Sequence, residues 1–271
     1  MDCNALICYY PVMIGFLIKK TLYDLWDNMF RIVVLNLGFL VITVIPLLPS
    51  FLPNLFGSDL LIGIFGIVGT LICSVYLSAA ANAIKVISDY GTFTYSDFLK
   101  SFKTTWPAGI AVFAVLLLLY VVFTIVIPFY GGMGTILGLV LSMVVIWLTV
   151  FALLSFQYFF TVYARLGNNI KKTFKKCMLI SLDNTGLSIF LVFNNIFAFA
   201  ISVIFVFMFP GPIGILLYLD EALRLRLLKY DWLEANPGAN RKKIPWDAIL
   251  IEEREKTGTR TFRNFIFPWK D

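Results

Sequence analysis

The sequence predicts an all-α membrane protein, a bundle of about six transmembrane helices arranged as three hairpins, each preceded by a cytoplasmic amphipathic helix. Composition is the first observation behind this prediction. The chain is 60% apolar and 14% charged over 271 residues, with a mean hydropathy of +0.87. A soluble domain carries roughly 25% charged residues, and a chain of this length cannot bury so many apolar residues in a soluble core.

Long uncharged stretches are the second observation. A membrane-spanning helix needs about 20 mainly apolar residues. Four stretches of this sequence contain no charged residue: 32–58, 60–84, 104–164 and 184–219. The third is 61 residues long, enough for two helices. The predicted spans are 32–49, 59–82, 107–128, 134–160, 187–208 and a short 212–228, which together define a transmembrane domain over 1–229.

The third observation is the distribution of lysine and arginine. Counted segment by segment between the predicted spans, the 22 basic residues fall as 3, 0, 3, 0, 5, 0 and 11. Because basic residues favour the cytoplasmic side, we expect both termini in the cytoplasm. The same alternation favours six spans over five. The alternative is that 212–228 lies along the outer interface without crossing.

Several kinds of chemistry are excluded or made less favourable. The chain contains no histidine, which removes histidine metal ligation and histidine acid–base catalysis. Its four cysteines form no C-x-x-C pair and predict neither a zinc site nor a disulfide framework. We therefore predict no cofactor and no metal. The apolar N-terminal stretch 5–18 lacks a basic start and is interpreted as mature protein.

A threefold pattern recurs along the chain. Prolines 46, 128 and 210 each follow an apolar run and are separated by 82 residues in both intervals. An amphipathic stretch precedes each rising helix. In the first, one polar stripe contains Lys20, Asp24, Asp27 and Arg31; in the third, one apolar stripe contains Ile170, Phe174, Cys177 and Met178. Such helices are expected along the inner membrane surface. The alternative is that membrane hairpins favour these residues without true repetition.

A resemblance to a known family rests on four short motifs. They are Leu35-Asn36-Leu37 before Pro46, the small-residue cluster 77–83, Phe98-x-x-x-Phe102-Lys103, and the run from Tyr163 to Phe174. Over about residues 20–230 the chain resembles the YesL family of bacterial membrane proteins, whose function is undefined. The resemblance implies a location in the cytoplasmic (inner) membrane of a bacterium and a setting beside carbohydrate ABC importers. It brings no catalytic residues to transfer.

Two pairs of polar residues in the predicted spans are candidates for ligand binding or helix contact. Asp220 and Glu221 lie in the sixth span, where ionisable groups indicate function. The competing interpretation is local pairing with Arg224, three and four residues further on. Asn194 and Asn195 lie in the fifth span, where an amide can bind a sugar hydroxyl or a neighbouring helix.

The segment 230–271 is predicted to be a cytoplasmic tail with a helix from about 247 to 256. Its candidate docking residues are Trp246, Phe267 and Trp269. They are expected to dock in a groove of a partner or of the chain's own cytoplasmic face; the alternative is that the tail lies on the inner membrane surface. Eight basic and seven acidic residues nearly cancel in this tail, so no nucleic-acid partner is expected.

Three functional classes remain at this stage. The favoured one is a non-enzymatic accessory or assembly component of a solute transport system. Its expected partners are the lipid bilayer and ABC importer subunits or another membrane protein. The second is a small-molecule transporter with its path between three hairpins, and the third is an intramembrane enzyme, for which the sequence offers no reactive constellation.

Overall fold

The computed structural model describes residues 3–48, 59–167, 169–240 and 244–258. Every regular element in these ranges is helical, which confirms the predicted all-α membrane bundle. The helices, in chain order, are α1 Cys3–Asp27, α2 Met29–Thr43, α3 Asp59–Ser88, α4 Tyr95–Val121, α5 Ile127–Gly131, α6 Ile136–Phe156, α7 Phe159–Leu166, α8 Ile170–Asp183, α9 Thr185–Ile204, α10 Gly211–Ala235, α11 Trp246–Ile249 and α12 Ile251–Thr257.

Within the described residues, five helical segments are long and apolar enough to cross a membrane: Met29–Leu47, Leu61–Ser88, Tyr95–Gly131, Ile136–Phe156 and Thr185–Ile204. They overlap the first five predicted spans; most ends differ by a few residues, and the third segment begins at Tyr95 where the prediction had 107. Many of their large apolar side chains are exposed, among them Leu118, Trp147 and Phe197. An apolar surface of this extent suits contact with lipid.

The sixth predicted span lies within α10, which occupies the interior of the bundle. Residues 216–223 of α10 are all buried, so neighbouring helices surround this part of it. The part of α10 from 211 to 228 carries four charged residues, and this charge distinguishes it from the five apolar segments. Whether it crosses the bilayer stays a prediction, and the helix continues to Ala235, past the predicted domain boundary at 229.

Two apolar cores pack against α10. One includes Met13 and Leu17 of α1 with Tyr158, Phe159 and Leu223. The other is formed largely by α2, α3 and α10, with Ile32, Ile84 and Leu217 among its members. Residues 12–18 of the N-terminal apolar stretch therefore belong to the folded core, because their side chains pack beside the central helix.

The amphipathic helices differ from the prediction in two of three cases. The first stripe does not face a membrane surface: Lys20 and Asp24 are buried, and the stripe is divided between α1 and α2 at Asn28. The second stretch is not a separate helix, because α4 runs from Tyr95 straight through Pro107. The third is separate, as predicted, and forms α8.

The start of α10 is fixed by Asn36 of α2. Its Nδ2 donates to the carbonyl oxygens of Met208 and Pro210 at 3.0 and 2.7 Å, and its Oδ1 accepts from the Ile213 amide at 3.1 Å. Gly211 packs directly on this side chain, with a φ of +64°. A Cβ at Gly211 would lie 2.4 Å from Asn36 atoms, so only glycine fits there.

Candidate functional site: a buried charge cluster

Asp220 and Glu221 are both fully buried, and each makes an ion pair with a distant helix. The proposed local pairing with Arg224 is wrong: Arg224 extends instead toward Asp89 and Glu253. The reason is that α10 is surrounded by other helices, whose charged side chains compete successfully with a neighbour on the same helix.

Glu221 pairs with Lys20 of α1. The Lys20 Nζ lies 2.6 Å from Glu221 Oε1, 2.6 Å from Asp24 Oδ2 and 3.0 Å from the Ser88 carbonyl oxygen. All three ammonium hydrogens are therefore used. The Tyr90 ring lies over the same ammonium, 4.2 Å from its centroid, a geometry that stabilises a cation.

Asp220 pairs with Arg165 of α7 through two parallel hydrogen bonds. Arg165 Nε lies 2.9 Å from Oδ1, and Nη2 lies 2.5 Å from Oδ2. The same guanidinium donates to Ser88 Oγ at 2.8 Å and to Asp89 Oδ1 at 3.0 Å. Burial alone would lower the pKa of Arg165, but the negative charges of Asp220 and Asp89 outweigh it and raise that pKa.

Arg224 joins the short helix α12 to the end of α3. Its Nη1 donates to Asp89 Oδ1 at 2.7 Å and to the Ser88 carbonyl oxygen, and its Nη2 donates to Glu253 Oε1 at 2.9 Å. The Tyr90 hydroxyl donates to Glu253 Oε2 at 2.9 Å. Burial raises the pKa of Tyr90, which keeps this hydroxyl protonated as a donor.

We call these residues the charge cluster. It contains three cations and five carboxyl groups, with Ser88 and Tyr90 between them. The charged members are Lys20, Arg165 and Arg224 with Asp24, Asp89, Asp220, Glu221 and Glu253. The cluster connects α1, α3, α7, α10 and α12 at one point, the C-terminal end of α3. Within the described residues, no group of acidic and cysteine side chains is arranged to hold a metal ion.

A smaller polar group connects α8 to the later part of α10. Lys229 Nζ lies 3.2 Å from Asp183 Oδ2, and the Tyr230 hydroxyl donates to the same oxygen at 2.9 Å. Partial burial would raise the pKa of Asp183, but the hydrogen bond from Tyr230 and the charge of Lys229 outweigh it and lower that pKa.

The two asparagines of the fifth span lie in α9 and are half-buried. Asn195 borders a recess of about 360 Å³ together with Gln157, Phe199 and Ile215. The side-chain oxygens of Asn195 and Gln157 are buried without a hydrogen-bond partner in the described part of the chain. Asn194 does not line this recess. Of the two asparagines, Asn195 is therefore the one that borders this recess.

The tail residue Trp246 is docked on the chain's own surface. It is buried within the core that contains Met13 and Leu17, and the Arg226 guanidinium lies 5.8 Å from its ring centroid. The predicted helix near 247–256 is present as α11 and α12. Phe267 and Trp269 lie outside the described residues.

Sequence reasoning missed half of the ten members of the charge cluster. Arg165 was counted only as a loop charge, and Ser88, Asp89, Tyr90 and Glu253 were not identified. The one usable signal is the polar sequence Ser88-Asp89-Tyr90-Gly91 at the end of an apolar helix. In the structure Tyr90 has a positive φ of 60°, an uncommon conformation for a tyrosine.

Comparison with known proteins adds no identification. No family model, curated protein or solved structure matches this chain. The resemblance to the YesL family therefore stays a prediction from the four motifs.

Proposed function

We propose that this chain is a non-enzymatic integral membrane protein that serves as an accessory or assembly component of a solute transport system. One observation carries the proposal: the ionisable side chains of α10 bind those of other helices. Arg165 and Lys20 bind Asp220 and Glu221, so these side chains serve as contacts between helices. The YesL resemblance supports carbohydrate as the solute.

The surroundings of the charge cluster support this role further. Neither Asp220 nor Glu221 lines any of four cavities in the described part of the chain, one of which, bordered by Lys19, Arg254 and Thr257, lies beside the charge cluster. A substrate path needs polar groups that a solute can reach, whereas a scaffold needs polar groups that bind one another. The lysines of α8 at 171, 172 and 175 are exposed and offer a basic surface to a partner.

Affinity purification from the native host in mild detergent tests the proposal. We expect permease subunits of an importer to be enriched with the tagged chain, and the chain to be recovered when the permease carries the tag. The control is an unrelated six-helix membrane protein with the same tag. Equal recovery of importer subunits with that control would contradict the proposal.

A transporter is the second candidate, and the recess beside Asn195 favours it. Two amide oxygens without partners can accept hydrogen bonds from a solute that carries hydroxyl groups. Uptake of labelled sugars into vesicles containing only this protein tests the idea. Asn195→Leu should abolish uptake and Asn194→Leu should not; absence of uptake by the unmodified protein would exclude this candidate for the sugars tested.

A further inference from the structure

The charge cluster holds more negative than positive charge. Its five carboxyl groups face three cations, so full ionisation would leave a net charge of −2 in a region that is mostly buried. Lys85, one turn before Ser88, is directed to the Ala164 carbonyl oxygen and forms no ion pair with these carboxyl groups within the described residues. Uncompensated buried charge is costly, which favours the addition of a positive species.

Glu221 indicates where the added positive charge binds. This side chain is fully buried, and its Oε2 has no hydrogen-bond partner in the described residues. Lys20 cannot serve this oxygen, since its three hydrogens already bind Glu221 Oε1, Asp24 and Ser88. The remaining cations, Arg165 and Arg224, are directed to Asp220, Asp89 and Glu253.

Asp24 supplies the second half of the site. Its Oδ2 and the Oε1 of Glu221 each lie 2.6 Å from the Lys20 Nζ, so the two carboxyl groups are neighbours around one ammonium. Two ionised carboxylates cannot hydrogen-bond to each other because neither carries a hydrogen. One added proton supplies the missing donor, satisfies Glu221 Oε2 and reduces the excess charge.

We propose that Glu221 and Asp24 bind one exchangeable proton between their carboxyl groups at neutral pH. The charged and titratable groups around this pair come from five parts of the chain. They are Lys20 from α1, Asp89 and Tyr90 after α3, Arg165 from α7, Asp220 and Arg224 from α10, and Glu253 from α12. The proton joins α1 to α10, so separation of these helices would release it. The proposal does not depend on a role in transport.

Infrared spectroscopy of the purified full-length protein in lipid at neutral pH tests the proposal. We expect a carbonyl band of a protonated carboxylic acid that shifts on exchange into D₂O. Glu221→Gln should remove the band, because its amide supplies the hydrogen bond without a titratable proton. Asp183→Asn is the matched control and should leave the band in place, since Asp183 lies outside the charge cluster and contacts Lys229 and Tyr230.

The unmodified protein alone can overturn the proposal, even if the variants fail to fold. Absence of a protonated-acid band at neutral pH would show that Oε2 is satisfied without a proton, for example by water. Persistence of the band in both Glu221→Gln and Asp24→Asn would assign the proton to another residue and would equally overturn it.

Discussion

Arg165 and Asp220 form a two-point ion pair across 55 residues of sequence, with contacts of 2.9 and 2.5 Å. The carboxylate is fully buried and the guanidinium nearly so. The pair fixes α7 against the central helix and brings the C-terminal end of α3 to the middle of α10 through Asp89 and Ser88.

Removal of one partner should therefore destabilise the protein strongly. Breaking a buried ion pair by truncating one side typically costs about 3–5 kcal/mol, because the other charge is left without compensation. We expect Arg165→Met to lower the thermal unfolding midpoint in detergent. The control is Asp97→Asn, whose ion pair with Lys100 is exposed and should show no measurable change; equal midpoints for the two variants would contradict the assignment.

Trp246 should hold α11 and α12 against the bundle. Truncation of a buried tryptophan costs about 3–5 kcal/mol, and here it also removes the Arg226 contact. Trp246→Ala should speed amide hydrogen exchange across 246–257 while the five apolar segments stay protected. Ile251→Ala, at an exposed position on α12, is the control. Unchanged exchange in Trp246→Ala would mean that the segment is held by other contacts.

Asp183 should contribute a pH-dependent part of the stability. Its pKa is lowered in the folded protein, so folding favours the ionised form. The contribution is fully present above the ordinary carboxyl pKa and is lost as the pH falls through the lowered value. The stability difference between the unmodified protein and Asp183→Asn should shrink over that acidic range. Asp231→Asn, exposed on α10, should show no such trend.

Cys177 should resist alkylation in the folded state. Burial raises the pKa of its thiol to about 12, and only a thiolate reacts readily. Mass spectrometry after treatment with N-ethylmaleimide should find it unmodified until the protein is denatured. Met178→Cys in a Cys177→Ser background is the control, because position 178 is exposed. Rapid labelling of native Cys177 would show that α8 does not pack as described.

Gly211 should tolerate no side chain. Alanine there would meet Asn36 and would require a positive φ, a strain of about 1–3 kcal/mol. Gly211→Ala should lower the unfolding midpoint. Gly186→Ala on α9 has open space around its Cβ and should be neutral or stabilising by about 0.5–1 kcal/mol. The opposite order of the two variants would contradict the contact between α2 and α10.

Much of the fold could be predicted because lipid imposes simple requirements on sequence. Uncharged stretches located five helices, but they did not reveal that the third begins as early as Tyr95, because charged residues precede its apolar part. Asp220 and Glu221 stand out because charge is rare in a predicted span. Their partners could not be predicted. Lys20 lies 201 residues from Glu221, and periodicity describes one helix at a time, so the local rule selected Arg224. The sequence shows the polar stripe at Lys20 and Asp24. It does not show which way the stripe faces, because that depends on the position of α10, which sequence patterns do not predict.

The contact between Lys20 and Glu221 joins α1 to α10 within the charge cluster. A double-mutant cycle measures this contact most directly. Lys20→Met, Glu221→Gln and the double variant would be compared with the unmodified protein by thermal unfolding in one detergent. Contacting residues show coupling of about 0.5–3 kcal/mol, so the double variant should lose clearly less stability than the two single losses together. Additive losses would show that the two side chains do not interact, and the charge cluster as described would be wrong.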